Sequence, residues 1–160
     1  MRNFIGVLAT TTLLLILPTV GGVAAIAKSV TWAPLDDTYL RGVYANKTWK
    51  WKHGAAYFAE DGTFKAWSRD KGVLYHAFGT WTAVPDGKLC FSASWRADAS
   101  SDAPIVETCF SHSARGRDIA QMKEPDGKWY LFKHAKTRKG DEFLKLRPGD
   151  ITGLKSDGTY

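Results

Sequence analysis

From residue 47 onward the chain alternates. Trp49 and Trp51 flank Lys50, and Phe64 and Ala66 alternate with Lys65 and Trp67. Val73, Tyr75, Ala77, Gly79 and Trp81 fall on one side of a long segment, and Leu89, Phe91, Ala93 and Trp95 on one side of the next. Trp129 and Leu131 alternate with Tyr130 and Phe132. A period of two, rich in aromatic and β-branched residues, is the mark of half-buried antiparallel strands. The pattern predicts strands over 47–52, 55–59, 63–69, 73–84, 88–95, 105–113, 118–124 and 128–134. One helix is expected before them: Asp36-Asp37-Thr38 supplies a cap, with Leu40, Val43 and Tyr44 at helical spacing.

The punctuation agrees. Asp-Gly occurs four times, at Asp61-Gly62, Asp86-Gly87, Asp126-Gly127 and Asp157-Gly158. This dipeptide tolerates the positive φ angles of tight hairpin turns. The spacings are unequal, so the turns do not mark a repeat protein. They carry one or two carboxylates each and lack EF-hand spacing, which argues against calcium loops. A short helix followed by a meander of strands predicts a mainly all-β fold: an antiparallel small calycin-like barrel or strongly curved sheet. Closure of this kind removes exposed edges. About eight strands enclose an interior that side chains fill, or that holds one small ligand.

The first residues follow a different rule. Arg2 precedes an uncharged apolar run from Phe4 to Leu17; Pro18, Gly21 and Gly22 end it, and Ala25-Ile26-Ala27 fits a small-x-small cleavage site. This is the order of a secretory leader, and the run is shorter than the ~20 apolar residues a spanning helix needs. The domain plan is a signal peptide at 1–27, a linker at 28–35, a β-barrel-like domain at 36–135 and a basic extension at 136–160. That extension contains Gly140, Pro148, Gly149 and Gly153 and is expected to be partly ordered at best, with a short strand near Phe143-Leu144-Lys145-Leu146. The protein is expected to be exported, periplasmic or secreted, with no membrane insertion once the leader is removed.

Export changes the meaning of the two cysteines, Cys90 and Cys109. An oxidising compartment favours a disulfide, and no Cys-x-x-Cys points to redox chemistry. Pairing Cys90 opposite Cys109 on antiparallel strands also sets Leu89 opposite Phe110 and Ala93 opposite Val106. The apolar pairs then share one face, and the cysteines share the other with Ser92 and Glu107. Closing this loop stabilises by about 3 kcal/mol in the chain-entropy model.

Composition narrows the classes. Of 160 residues, 44% are hydrophobic and 24% charged, which excludes wholesale disorder. The formal charge is +6. Without a nucleic-acid motif, and with export expected, that charge points to anionic envelope polymers, not to nucleic acid.

Several stretches resemble the proteobacterial domain of unknown function numbered 995. They are the run Gly42-Val43-Tyr44-Ala45-Asn46-Lys47-Thr48-Trp49-Lys50-Trp51, the run from Gly54 to Ser68, Gly79-Thr80-Trp81, Leu89-Cys90-Phe91, Thr108-Cys109-Phe110-Ser111-His112, and the run from Glu124 to Tyr130. The resemblance covers about residues 36–134 and leaves the basic extension outside it. It implies an exported protein of α-proteobacterial type and transfers no catalytic residue.

Chemistry-bearing residues are scattered. His53, His76, His112 and His134 form no metal-binding motif. Ser111-His112 lacks the nucleophile elbow, and neighbours on a strand point to opposite faces. The turn carboxylates do not make a glycosidase pair. No catalytic residue, metal or cofactor is therefore expected. The stronger signal is aromatic and basic. If Phe64 and Ala66 face the core, Lys65, Trp67 and Arg69 face outward, and Lys50 joins them from a neighbouring strand. A displayed Trp among cations suits stacking on a sugar face and pairing with acidic groups. Trp67, Lys50, Lys65 and Arg69 are thus the expected ligand-binding face. The functional expectation is a non-catalytic binding module for an acidic envelope glycan or a small ligand. The alternatives are an inhibitor or accessory of an envelope enzyme, partnering an envelope protein through loop 96–104, and an enzyme without a recognisable motif.

Overall fold

The computed structural model describes residues 30–98 and 103–155. The leader and most of the tip of loop 96–104 lie outside the described residues, as does Asp157-Gly158. In chain order the elements are β1 (Ala33–Pro34), α1 (Asp37–Tyr44), β2 (Lys47–Trp51), β3 (Gly54–Phe58), β4 (Thr63–Asp70), β5 (Val73–Val84), β6 (Lys88–Arg96), β7 (Ile105–Arg115), β8 (Asp118–Lys123) and β9 (Tyr130–Lys133). A 3-10 turn (Glu142–Lys145) and β10 (Leu146–Pro148) follow.

All pairings are antiparallel, in the order β10-β2-β3-β4-β5-β6-β7-β8-β9, with β1 added to β7. The eight expected strands are present with ends shifted by at most two residues; β1 is additional, and β10 overlaps the short strand expected near 143–146 only at Leu146. The result is a curled half-barrel. Its edge strands β9 and β10 are not paired to each other. The 3-10 turn stands in the seam, packing against β9 and β2, with the Phe143 ring 5.9 Å from Phe132.

Sequence accounts for the turns. Asp86 and Gly87 both have positive φ, at 68° and 77°, the backbone of a tight hairpin. A Cβ on Gly87 would lie 2.2 Å from the His112 carbonyl oxygen, so glycine is required there for space as well. The Asp36 side chain caps α1 by accepting the Tyr39 N–H at 2.6 Å.

The inner face follows strand parity. Phe58, Phe64, Ala66, Ala77, Trp81, Leu89 and Ala93 are buried there, and α1 lays Leu40, Val43 and Tyr44 against them. Cys90 and Cys109 are disulfide-bonded with Cα atoms 4.1 Å apart. Leu89 lies opposite Phe110, Ala93 opposite Val106 and Ser92 opposite Glu107, the register that the apolar pattern required.

The chain after residue 136 differs from expectation. It is not a loose tail over its described length. Asp141 accepts the backbone N–H groups of His134 and Arg138 at 3.1 and 3.0 Å and holds His134 Nδ1 at 2.6 Å. The expected strand near 143–146 is the 3-10 turn, and the strand begins only at Leu146. Beyond it, residues 149–154 strap the outer face of β2–β4. Thr48 donates to the Gly149 carbonyl at 2.7 Å and accepts the Ile151 N–H at 3.0 Å. Order here comes from polar contacts across the chain, which leave no periodic trace in the sequence.

Candidate functional site

One end of the concave face is filled. Tyr44, from the last turn of α1, is fully buried among Phe58, Phe132 and Trp49. Its hydroxyl lies 2.9 Å from His112 Nε2 and accepts the Gln121 amide at 2.8 Å. On the other ring edge, His112 Nδ1 faces the Phe110 carbonyl at 3.0 Å. A carbonyl can only accept, so Nδ1 carries the proton and Nε2 is the acceptor. Burial lowers the His112 pKa to about 4, which keeps the ring neutral. The Gln121 carbonyl accepts the Tyr130 hydroxyl. Burial, reinforced by Glu142, pushes Tyr130 up to about 12, so that hydroxyl remains a donor.

The opposite end is open. A cavity of about 440 Å³ lies between the strands there, within the usual range of about 300–1,000 Å³ for small-molecule sites. Its walls are aromatic: Trp49, Trp51, Phe58, Phe64, Phe91, Trp95, Phe110 and Tyr130 line it, with Ala56 between them. Phe64 and Phe91 stack with centroids 4.4 Å apart. Small residues on the same inner face, Ala56, Ala66, Ala77 and Ala93, leave the volume that the rings do not occupy. Trp51 lies across Gly54, where a Cβ would come within 2.2 Å of the indole. Only glycine lets that ring lie flat against β3.

The polar lining consists of Thr108, Lys123, Glu142 and the Tyr130 hydroxyl. Glu142 is already engaged: Oε1 accepts the Trp49 indole N–H at 2.8 Å and Oε2 the Lys145 ammonium at 2.6 Å. The Lys123 ammonium has no hydrogen-bond or ion-pair partner among the described residues. No group of His, Cys, Asp and Glu among the described residues is arranged to hold a metal.

The four residues expected to form a binding face sit on the outside, as parity required. Lys50, Ala55, Trp67, His76 and Arg96 form one cross-strand row. Trp67 is half-buried, and Lys50 and Arg69 are exposed. Lys65 is the exception to a free cationic face. Its ammonium sits 2.5 Å from Asp150 and donates to the Leu154 carbonyl at 2.7 Å. Burial raises the Asp150 carboxyl, but hydrogen bonds from Lys65 and Thr152 outweigh it and hold the pKa below the ordinary value. The Arg69 guanidinium donates to the Gly72 carbonyl at 3.2 Å within its own hairpin. The strap therefore takes up one of the three cations.

Sequence reasoning placed most of the cavity's rings on the inner face but not the cavity itself. Lys123, Thr108 and Glu142 were missed. The alternation Gln121-Met122-Lys123 was a usable signal, because it sends two polar residues inward. Glu142 reaches the site from the segment taken for a tail.

A model of a protein family of unknown function, DUF995, matches residues 12–152. The chain belongs to this family. The match runs past residue 134 to include the 3-10 turn, β10 and most of the strap. Comparison with curated proteins and with solved structures gives no match.

Proposed function

We propose that this DUF995 protein is an exported, non-catalytic binding module that takes a small apolar ligand into the open end of its half-barrel. The observation that carries the reading is the aromatic cavity of about 440 Å³, ringed by Trp49, Trp51, Trp95, Phe91 and Phe110. Apolar walls with a few polar groups are the common composition of small-molecule sites.

Binding is favoured over catalysis by what the polar groups already do. Both Glu142 oxygens are occupied, the Tyr130 hydroxyl is donated to Gln121, and His112 lies behind Tyr44 and Gln121. Export is supported by the leader-like order of the first 27 residues and by the Cys90–Cys109 bond. No helix among the described residues is long and apolar enough to cross a membrane.

The test is titration of the purified protein with the neutral probe N-phenyl-1-naphthylamine. Probe fluorescence is followed with excitation through tryptophan. Saturable binding that is lost in Thr108→Trp, which places an indole in the cavity wall, is the expected result. Undiminished binding in a folded Thr108→Trp variant overturns the proposal.

A further inference from the structure

Three lysines of the fold are matched to carboxylates: Lys65 to Asp150, Lys88 to Glu124 and Lys145 to Glu142. Lys123 is not, and it is the lysine that lines the aromatic cavity. Its sequence neighbour Glu124 gives it no neutralising partner, because that carboxylate accepts from Ser111 and pairs with Lys88. Glu142, the carboxylate in the cavity lining, is held by Trp49 and Lys145.

The backbone beneath Lys123 is fixed. Lys123 pairs with Phe110 across β7 and β8, and its carbonyl accepts the Gly127 N–H at 2.8 Å. A Cβ on Gly127 would lie 2.1 Å from that carbonyl oxygen, so the turn closes this tightly only with glycine there. The flexible lysine stem therefore starts from a rigid strand end beside Phe110, with an unspent charge at its tip.

We infer that the ligand is an amphiphilic anion: a planar or apolar body among the rings, with a carboxylate or sulfonate on the Lys123 ammonium. This rests on the cavity reading above and names its ligand class. Lys123 is exposed at the rim of the aromatic wall, where its ammonium can give a bound anion a charge-assisted hydrogen bond. It also rejects cations and leaves neutral analogues without the head-group contact.

The experiment uses a matched pair of probes sharing one ring system. 1-Anilinonaphthalene-8-sulfonate is the anion, and N-phenyl-1-naphthylamine is its neutral counterpart. The anion is expected to bind more tightly at low salt. Lys123→Met should weaken it by about 10-fold or more, the size of one charge-assisted hydrogen bond, and leave the neutral probe unchanged. Lys123→Arg should retain the preference, and high salt should narrow it in the wild type. Competition with 1-naphthoate and with laurate separates an aromatic acid from a lipid-derived one; displacement by either supports the inference, and displacement by neither overturns it. If both probes bind the cavity but Lys123→Met leaves the anion untouched, the charge assignment is wrong and the cavity reading stands. If neither probe binds, both readings fall. Anion binding that persists in Thr108→Trp places the probe elsewhere and overturns the inference.

Discussion

At the α1 end of the half-barrel, Tyr44, Phe58, Phe132 and His112 fill the interior; at the other end, Trp51, Trp95 and Phe110 surround an opening. Both ends are aromatic, so hydrophobicity does not separate them. The difference is what sits between the rings. At the closed end a helix inserts a tyrosine, and each buried polar atom of its cluster meets a complement: Tyr44, His112, Gln121 and Tyr130 bond in sequence. At the open end the 3-10 turn contributes only Glu142 among the described residues, and alanines keep the walls apart. The closed end is packed by the chain itself, and the open end is where we propose that the ligand sits. Gln121 and Tyr130 join the two, since Tyr130 donates into the cluster while lining the cavity.

The sharpest way to break the comparison is to truncate at the closed end. Tyr44→Ala removes a fully buried ring and strands a donor on Gln121, leaving His112 Nε2 with the Gln121 amide alone. A cost of about 4 kcal/mol is expected, read as a lower urea midpoint. Tyr44→Phe keeps the ring and should cost about 1–3 kcal/mol, the range for leaving buried partners unsatisfied. Equal losses in the two variants would show that packing contributes little.

The second test is pH. His112 takes up a proton near 6.5 when unfolded but only near 4 when folded. Between these values the unfolded state binds more protons, so stability falls as pH drops from 6.5 to 4. The full loss is about 3 kcal/mol at 1.36 kcal/mol per pKa unit. His112→Gln should be less stable at pH 7 and show a flatter profile across that window. A profile as steep as the wild type's would assign the effect to other groups.

How much of this was legible differs between the two ends and the outside. Strand parity was readable because period two needs only neighbouring residues, so the Cys90–Cys109 register and the outward row through Trp67 followed directly. The cluster was not readable. His112 looks like any strand histidine until Tyr44, 68 residues away, is brought to its Nε2. The strap was hidden for the same reason: Thr48 and Gly149 are 101 residues apart, and Lys65 and Leu154 are 89. Composition read the segment as mobile because glycine, proline and charge leave no apolar face. Its order comes from individual polar contacts with the sheet.

The strap provides a smaller test on the outer face. Asp150→Ala leaves the largely buried Lys65 ammonium without its carboxylate and removes the acceptor for the Thr152 N–H and hydroxyl. A cost of about 1–2 kcal/mol is expected. Affinity for the neutral probe should not change, because the strap lies on the other side of the sheet. A change in both would mean that the strap shapes the cavity wall.

The smallest effect separates inside from outside with one kind of residue. Trp95 and Trp67 are both half-buried tryptophans on neighbouring parts of the sheet, but Trp95 lines the cavity and Trp67 stands on the outer row beside His76. Each is partly exposed already, so truncation to alanine recovers little of the 3–5 kcal/mol seen for fully buried rings. About 1 kcal/mol or less is expected for each on that ground. Binding should split them. Trp95→Ala removes a stacking wall worth about 0.5–1.5 kcal/mol, a two- to tenfold loss for the naphthylamine probe, whereas Trp67→Ala should leave that affinity intact. Retention on acidic polysaccharide reads the other side. If Trp67→Ala abolishes such retention while Trp95→Ala spares it, the outer row is a binding face in its own right, working with Lys50 and Arg96 in place of the strapped Lys65. If neither variant alters it, the outward tryptophan contributes only to the packing of β3, β4 and β5, and recognition belongs to the concave side.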